Sequence, residues 1–175
     1  IEKHDARCVM CGRCVSVCTE VQGAHALDFM HNGYEARIAP VSGTSLNCEF
    51  CGQCVAICPV GAFIDKLFKY RARVWELTKV HSVCPYCGTG CAVELNLKDK
   101  RIVRVTSDDA ATANRGNLCI RGRFGFGFVH NQSRLKSPLI KLQGQLVSAA
   151  WHTVLDFAAD SFKTLITAYG PDCIA

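Results

Sequence analysis

Cysteines at short, repeated spacings are the residues of this chain that could do chemistry. The chain has 13 Cys in 175 residues, and all but Cys173 fall into a few short runs or follow one of them. The stretches CVMCGRCVSVC (residues 8–18) and CEFCGQCVAIC (residues 48–58) have the same spacing, and CPYCGTGC (residues 84–91) is a variant. Three thiols within seven residues suit an inorganic cluster better than a disulfide framework or a single zinc ion. We predict iron–sulfur clusters, with disulfides and zinc as the less favoured alternatives.

The first two runs resemble the ferredoxin pattern C-x2-C-x2-C-x3-C-P. Residues 48–59 match it in full, whereas Cys18 is followed by Thr19 instead of Pro. In two-cluster ferredoxins the fourth Cys of each run ligates the cluster of the other run. We therefore predict two 4Fe-4S clusters, the first on Cys8, Cys11, Cys14 and Cys58, and the second on Cys48, Cys51, Cys54 and Cys18.

A third cluster is predicted from the spacing C-x2-C-x3-C-x27-C. Its ligands would be Cys84, Cys87, Cys91 and Cys119. A fourth ligand so distant must be brought back by folded structure, and the alternating residues 91–107 predict a hairpin that turns at residues 98–100. Gly116 and Gly122 flank Cys119, and we expect them to let the backbone approach the cluster closely.

Other elements follow from periodicity and turn residues. We predict a hairpin in residues 26–39 around Asn32-Gly33, a connecting helix over 63–79, a hairpin turning at Gly144, and a helix over 151–169 ended by Gly170-Pro171. Cys173 is expected to be a buried thiol at the start of a strand over 172–175. The fold class is α+β. It comprises a two-cluster ferredoxin-like module at 1–62, the connecting helix at 63–79, a small β-hairpin-rich 4Fe-4S domain at 80–137, and the start of an α/β domain at 138–175.

Charge and hydropathy exclude some classes of function. The formal net charge is +5, but three clusters of about −2 each would bring the loaded chain to about −1. Nucleic-acid binding is therefore not expected. No apolar run reaches the ~18 residues of a membrane span. Reduced thiols and iron–sulfur chemistry favour the cytoplasm. No carboxylate pair or nucleophile–base set is present, so we expect no catalytic residue in this segment.

Residues 83–140 resemble the N-terminal iron–sulfur domain of the molybdopterin oxidoreductases. With the ferredoxin-like runs upstream, the chain is most similar to the catalytic alpha subunit of a cytoplasmic formate dehydrogenase. The resemblance implies formate/CO2 interconversion at a Mo or W bis-molybdopterin guanine dinucleotide that is bound beyond residue 175. A Lys of that family lies between the cluster and one pterin; here Cys119-Ile120-Arg121-Gly122-Arg123 matches the motif, so Arg121 takes that cofactor-binding position.

The function implied is electron relay through three 4Fe-4S clusters. Partners would be other redox subunits of a multi-subunit complex, such as ferredoxin, flavin/NAD or hydrogenase subunits. Two alternatives stay open. One is a stand-alone polyferredoxin that only transfers electrons, and the other is a pterin-free relative in an NADH-oxidising complex, which Arg121 in place of Lys favours.

Overall fold

The chain folds into short helices and small antiparallel sheets, arranged in two compact units, Ile1–His130 and Asn131–Ala175. A computed structural model describes residues 1–43 and 45–174. The α-helices are α1 Arg13–Ser16, α2 Gln53–Ala56, α3 Ile120–Phe124 and α4 Trp151–Tyr169. The strands are β1 Glu2–Lys3, β2 Leu27–Met30, β3 Arg37–Pro40, β4 Phe63–Ile64, β5 Thr78–Val83, β6 Ala92–Lys98, β7 Arg101–Thr106, β8 Leu139–Leu142 and β9 Gln145–Ser148. The predicted mixture of helices and antiparallel hairpins is confirmed.

The two ferredoxin-like runs fold in the same way. In each, a glycine in the left-handed region, Gly12 (φ 73°) or Gly52 (φ 76°), precedes a one-turn helix, α1 or α2. After α1, a π-helical turn continues to Val21. The predicted hairpin is present as β2 and β3, which pair from Leu27↔Pro40 to Met30↔Arg37. This hairpin returns the chain towards the second run.

The first and last strands of residues 1–64, β1 and β4, pair with each other. In the β1–β4 pair, Glu2 lies opposite Ile64 and Lys3 opposite Phe63. The Lys69 ammonium, just beyond β4, binds the Glu2 carboxylate at 2.7 Å. The two ends of residues 1–64 are therefore neighbours.

The connecting helix predicted for residues 63–79 is wrong. That stretch contains β4, a series of turns, a 3-10 helix at Val74–Glu76 and the start of β5. Asp65 starts a helical turn, because its carboxylate accepts the Leu67 N–H at 2.8 Å and its carbonyl accepts the Lys69 N–H at 2.9 Å, but the turn does not continue as a helix. Tyr70 follows in the left-handed region (φ 64°), which ends the turn, and Trp75 beyond it is 82% exposed.

A three-stranded sheet, in the order β5-β6-β7, follows. The predicted β6–β7 hairpin is present, and its turn residues Asp99 and Lys100 are both left-handed. Sequence periodicity missed β5 because the helix was predicted to run as far as residue 79. Val93, Val105 and Leu118 form the buried core behind this sheet.

The second unit contains the β8–β9 hairpin and α4. Both elements were predicted, and α4 ends before Gly170. Cys173 is exposed and lies in a 3-10 helix, Pro171–Cys173, so the buried strand predicted there is wrong as far as residue 174; Ala175 lies outside the described residues. None of the helices in residues 1–43 and 45–174 combines the length and apolar character needed to cross a membrane.

Candidate metal centres

The twelve cysteines of the predicted sites all lie in the first unit, where we group them by ligand set. The first set is Cys8, Cys11, Cys14 and Cys58, the second is Cys48, Cys51, Cys54 and Cys18, and the third is Cys84, Cys87, Cys91 and Cys119. Among residues 1–43 and 45–174, no three His, Cys, Asp or Glu side chains are close enough to hold one metal ion.

In the first set, two thiols raise the pKa of a third, and the fourth packs against the same hydrophobic core. Burial raises the pKa of Cys14, and the neighbouring thiols Cys11 and Cys8 raise it further. Cys58 packs against the buried cluster of Cys14, Leu27, Ile38 and Phe63. The chain therefore brings residue 58 back to the region of the first run, as the predicted exchange of ligands requires.

The second set includes the thiol that the first run contributes. Burial, followed by the neighbouring thiols Cys51, Cys14 and Cys18, raises the pKa of Cys54 to about 12. Burial also raises the pKa of Cys51, to which Cys18 and Cys48 add. Cys18 is thus close enough to act on two thiols of the other run. The ligand assignment itself stays a prediction.

Backbone N–H groups point at several sulfurs of these two sets. The N–H groups of Ala26, Phe50 and Ala62 approach Cys18, Cys48 and Cys58 at 3.3, 3.4 and 3.2 Å. Burial alone would raise the pKa of Cys58, but the backbone N–H groups of residues 60–63 outweigh it and lower that pKa. Such donors favour the thiolate, which is the form that binds iron.

The third set is assembled at the base of the β6–β7 hairpin. Cys84 donates its N–H to the Cys91 carbonyl at 2.8 Å, and Cys119 lies directly before α3. Burial raises the pKa of Cys91, and Cys84, Cys87 and Cys119 each add to that effect. The folded chain therefore brings Cys119 close enough to act on Cys91, together with the other two thiols of the set.

Asn114 is the residue that returns Cys119 to the other three thiols. Its carbonyl oxygen accepts the Ala92 N–H at 2.9 Å, and its amide donates to Ser107 Oγ and to the Asn117 carbonyl, each at 2.8 Å. The loop before Cys119 is thereby bound to the base of the hairpin. Sequence analysis missed this residue, because nothing in its local pattern indicates a partner 22 residues away.

Arg121 and the two glycines show mixed outcomes. Arg121 is exposed. The Thr89 hydroxyl, 3.5 Å from Cys87 Sγ, lowers the pKa of Cys87, and the charge of Arg121 lowers that pKa further. A Cβ on Gly122 would lie 3.6 Å from Cys84 Sγ, so the expected close approach holds there. Gly116 is left-handed and faces Asp109 instead of a thiol, so the expectation for Gly116 is wrong.

A buried bridge between the second and third sets was not predicted. It starts at Arg123, whose side chain is only 5% exposed. Arg123 Nε donates to the Cys51 carbonyl at 2.8 Å, and Nη2 donates to Gln53 Oε1 at 2.6 Å. Gln53 in turn donates to the Asn117 side chain. The sequence motif C-I-R-G-R predicted a role for Arg121, whereas the buried guanidinium belongs to Arg123, two residues further on.

The donors of all three sets fit 4Fe-4S clusters. Each set offers four sulfurs and no oxygen ligand, which is the donor chemistry that iron–sulfur clusters take. N–H groups directed at sulfur and the close packing at Gly122 are features that such clusters need around them. Each set could therefore hold one cluster.

Family profiles match the chain in three consecutive segments. Residues 1–64 match the ferredoxin-like domain of NADH-quinone oxidoreductase subunit 3, residues 77–131 match the molybdopterin oxidoreductase Fe4S4 domain, and residues 134–175 match molybdopterin oxidoreductase.

Similar proteins come from several bacteria. The NADPH-Fe(3+) oxidoreductase subunit alpha of Geobacter sulfurreducens is 44% identical over the whole chain, which covers 20% of that protein. A subunit of the NADH-quinone oxidoreductase of Rhizobium meliloti is 40% identical over 86% of the chain and 18% of its own length. A protein provisionally named formate dehydrogenase in Staphylococcus aureus strain MW2 is 28% identical over 98% of the chain and 17% of its own length.

The identities favour the NADPH and NADH oxidoreductase subunits over the predicted formate dehydrogenase as similar proteins. The chain spans about a fifth of the length of the curated relatives it matches, and it is less similar to the formate dehydrogenase than to the NADPH and NADH oxidoreductase subunits. The specific likeness to formate dehydrogenase is therefore weaker than predicted. The family itself is confirmed by the consecutive matches over residues 77–131 and 134–175. The chain belongs to the molybdopterin oxidoreductase family.

Proposed function

We propose that this chain relays electrons through three 4Fe-4S clusters, between a partner redox subunit and a region of the protein beyond residue 175. When bound, such clusters accept and release one electron at a time. The three ligand sets would hold them as grouped above. The chain's own residues would orient the sulfurs, direct N–H groups at them and exclude water from Cys14 and Cys18.

The observation that carries this proposal is the contact between the second and third sets. Helix α3 begins directly after Cys119, and its Arg123 donates a hydrogen bond to the carbonyl of Cys51. Cys51 and Cys119 are predicted ligands of two different clusters. A short bonded path therefore joins the two sites within one compact unit, which is an arrangement suited to electron transfer between them.

The names of the relatives favour a nucleotide-oxidising complex as the setting. Two relatives at 40–44% identity are named as subunits of an NADPH-Fe(3+) and an NADH-quinone oxidoreductase. In such a complex, electrons would enter from a partner subunit that oxidises the nucleotide, reach the first and second sets, and leave through the third. Arg121, where the resembled Fe–S domains have Lys, is consistent with a member that does not use the standard pterin relay.

Formate oxidation is the second candidate. It is supported by the molybdopterin oxidoreductase match that continues to residue 175 and by the relative provisionally named formate dehydrogenase. Formate oxidation would require a Mo or W bis-pterin cofactor beyond residue 175.

The test uses the full-length protein, purified anaerobically with the subunits that accompany it. Iron, acid-labile sulfide, Mo and W are measured, and cluster reduction by NADPH, NADH or formate is followed by visible absorbance and paramagnetic resonance. Reduction by a nucleotide without Mo or W would support the first candidate, and reduction by formate with Mo or W the second. A protein without iron and sulfide would overturn the relay. Cys173→Ser is the matched control for cysteine variants, because Cys173 is exposed and outside the three sets.

A further inference from the structure

Arg123 is a buried cation whose direct partners are uncharged. Its two hydrogen bonds go to the Cys51 carbonyl and to the Gln53 amide oxygen. A buried guanidinium is costly unless opposite charge lies nearby. Burial lowers the pKa of Arg123 and the neighbouring Arg104 lowers it further, whereas Cys51, Cys54 and Asp65 act in the opposite direction.

Arg104 and Asp65 are charged neighbours of Arg123. Arg104 is partly buried and stacks on the Phe68 ring, with its guanidinium carbon 5.3 Å from the ring centroid. Burial lowers the pKa of Arg104, and Asp65 opposes that shift. Arg104 and Arg123 also share a cavity with Lys79, Glu94, Asp108 and Asp109. Arg123 is the guanidinium that hydrogen bonds to the Cys51 carbonyl, so its charge lies beside the second set.

The first ligand set has a different neighbour at the equivalent position. A Cβ on Gly12 would meet the Phe29 ring at 3.1 Å, while a Cβ on Gly52 would collide with the Arg123 side chain. Gly12 and Gly52 occupy the same place in the two repeated runs. A neutral ring therefore covers one run, whereas the other is covered by the Arg123 side chain together with the Phe124 ring. Fixed positive charge stabilises the more negative, reduced form of a cluster.

We propose that Arg123 is a positioning residue with two roles: it anchors the second ligand set to the third, and its charge raises the reduction potential of the second cluster relative to the first. This inference rests on the proposed function. Electrons arriving at either ferredoxin-like cluster would then favour the second, which adjoins the third. The bridge through Gln53 and Asn117 keeps the guanidinium in place.

The test is a redox titration of the full-length protein with its accompanying subunits, in which paramagnetic resonance follows each cluster. Arg123→Gln should lower the potential of the second cluster, whereas Arg123→Lys, which keeps the charge, should restore most of it. The matched control is Arg13→Gln. Arg13 is exposed, and it occupies in the first run the place that Gln53 occupies in the second, so the second cluster's potential should not change.

Gln53→Glu provides a second variant if Arg123→Gln fails to fold. The new carboxylate would occupy the position of an oxygen 2.6 Å from Arg123 Nη2 and would neutralise its charge without removing the side chain. The second cluster's potential should again fall. The inference would be overturned if the parent contains its clusters and the potential of the second cluster is unchanged in both Arg123→Gln and Gln53→Glu. A parent without three clusters would overturn the proposed function instead.

Discussion

Cys18 and Cys58, the fourth cysteines of the two runs, each have a backbone N–H directed at the sulfur. Each accepts an N–H from the loop that follows its own helix, from Ala26 and Ala62 respectively. These donors stabilise a thiolate. A thiolate held by its own run in this way is suited to complete a cluster whose other three ligands come from the opposite run.

Replacing Cys58 should therefore damage the cluster that is distant in sequence. In Cys58→Ala we expect loss or conversion of the cluster on Cys8, Cys11 and Cys14, because that cluster loses its fourth ligand. Cys18→Ala should instead affect the cluster on the second run. Paramagnetic resonance of the reduced protein distinguishes the two signals. Loss of the cluster on the mutated cysteine's own run would show that the assignment is wrong.

Arg121 should act on the third cluster alone. Its charge already lowers the pKa of Cys87, after the larger effect of Thr89. We expect Arg121→Ala to lower the third cluster's potential and to slow electron transfer without unfolding the protein, and Arg121→Lys to keep most of both. Redox titration of the parent and the two variants measures this. An alanine variant with the parent's potential would rule out the role.

At the scale of elements, glycine-led turns and hairpins were the features that the sequence predicted best. Asn32-Gly33, the Asp99-Lys100 turn and Gly144 each mark a hairpin that the structure contains. The helix predicted over 63–79 is absent because the turn that Asp65 starts ends at Tyr70, whose backbone is left-handed. Periodicity describes which face a segment could bury, but not which residue leaves the helical conformation.

Gly52 should tolerate substitution worse than a left-handed glycine with open space around it. In Gly52→Ala the left-handed backbone costs about 1–2 kcal/mol, and the added methyl collides with Arg123 and Phe124, which adds about 1–3 kcal/mol. Gly23 is the matched control, because it is also left-handed (φ 68°) but a methyl group added there would meet nothing within 4 Å. Denaturation followed through loss of cluster absorbance should show a clearly larger loss of stability for Gly52→Ala. Equal losses would mean that the contact with α3 contributes nothing.

At the scale of the whole molecule, segments that the sequence separates pack as one unit. The ferredoxin-like segment and the third ligand set lie together within Ile1–His130, joined by an Arg123–Cys51 hydrogen bond across 72 residues. Local spacing identified eleven of the twelve candidate ligands, whereas Cys119 lies 28 residues after Cys91 and depends on the fold to reach the others. The bridge of Arg123, Gln53 and Asn117 was not predictable, since it depends on which surfaces meet after folding.

The intact chain should bind about twelve iron and twelve acid-labile sulfide, because three sets of four thiols each suit a four-iron cluster. A reductive titration should then take up about three electrons per chain, one for each cluster. Chemical analysis and dithionite titration under anaerobic conditions measure both quantities, and Cys173→Ser should leave them unchanged. Stoichiometric zinc without visible iron–sulfur absorption would contradict the assignment of all three sites.

The pairing of β1 with β4 also bears on how such proteins diversify. Because Glu2 and Lys3 lie beside Ile64 and Phe63, the ferredoxin-like segment begins and ends at the same place. A segment with adjacent ends can be gained, lost or exchanged by recombination without displacing the chain that follows it. Only the side chains that meet it from the other side, such as Arg123 and Asn117, would have to change together with it. A replacement for residues 1–64 that keeps these contacts should therefore leave the fold of residues 77–130 unchanged.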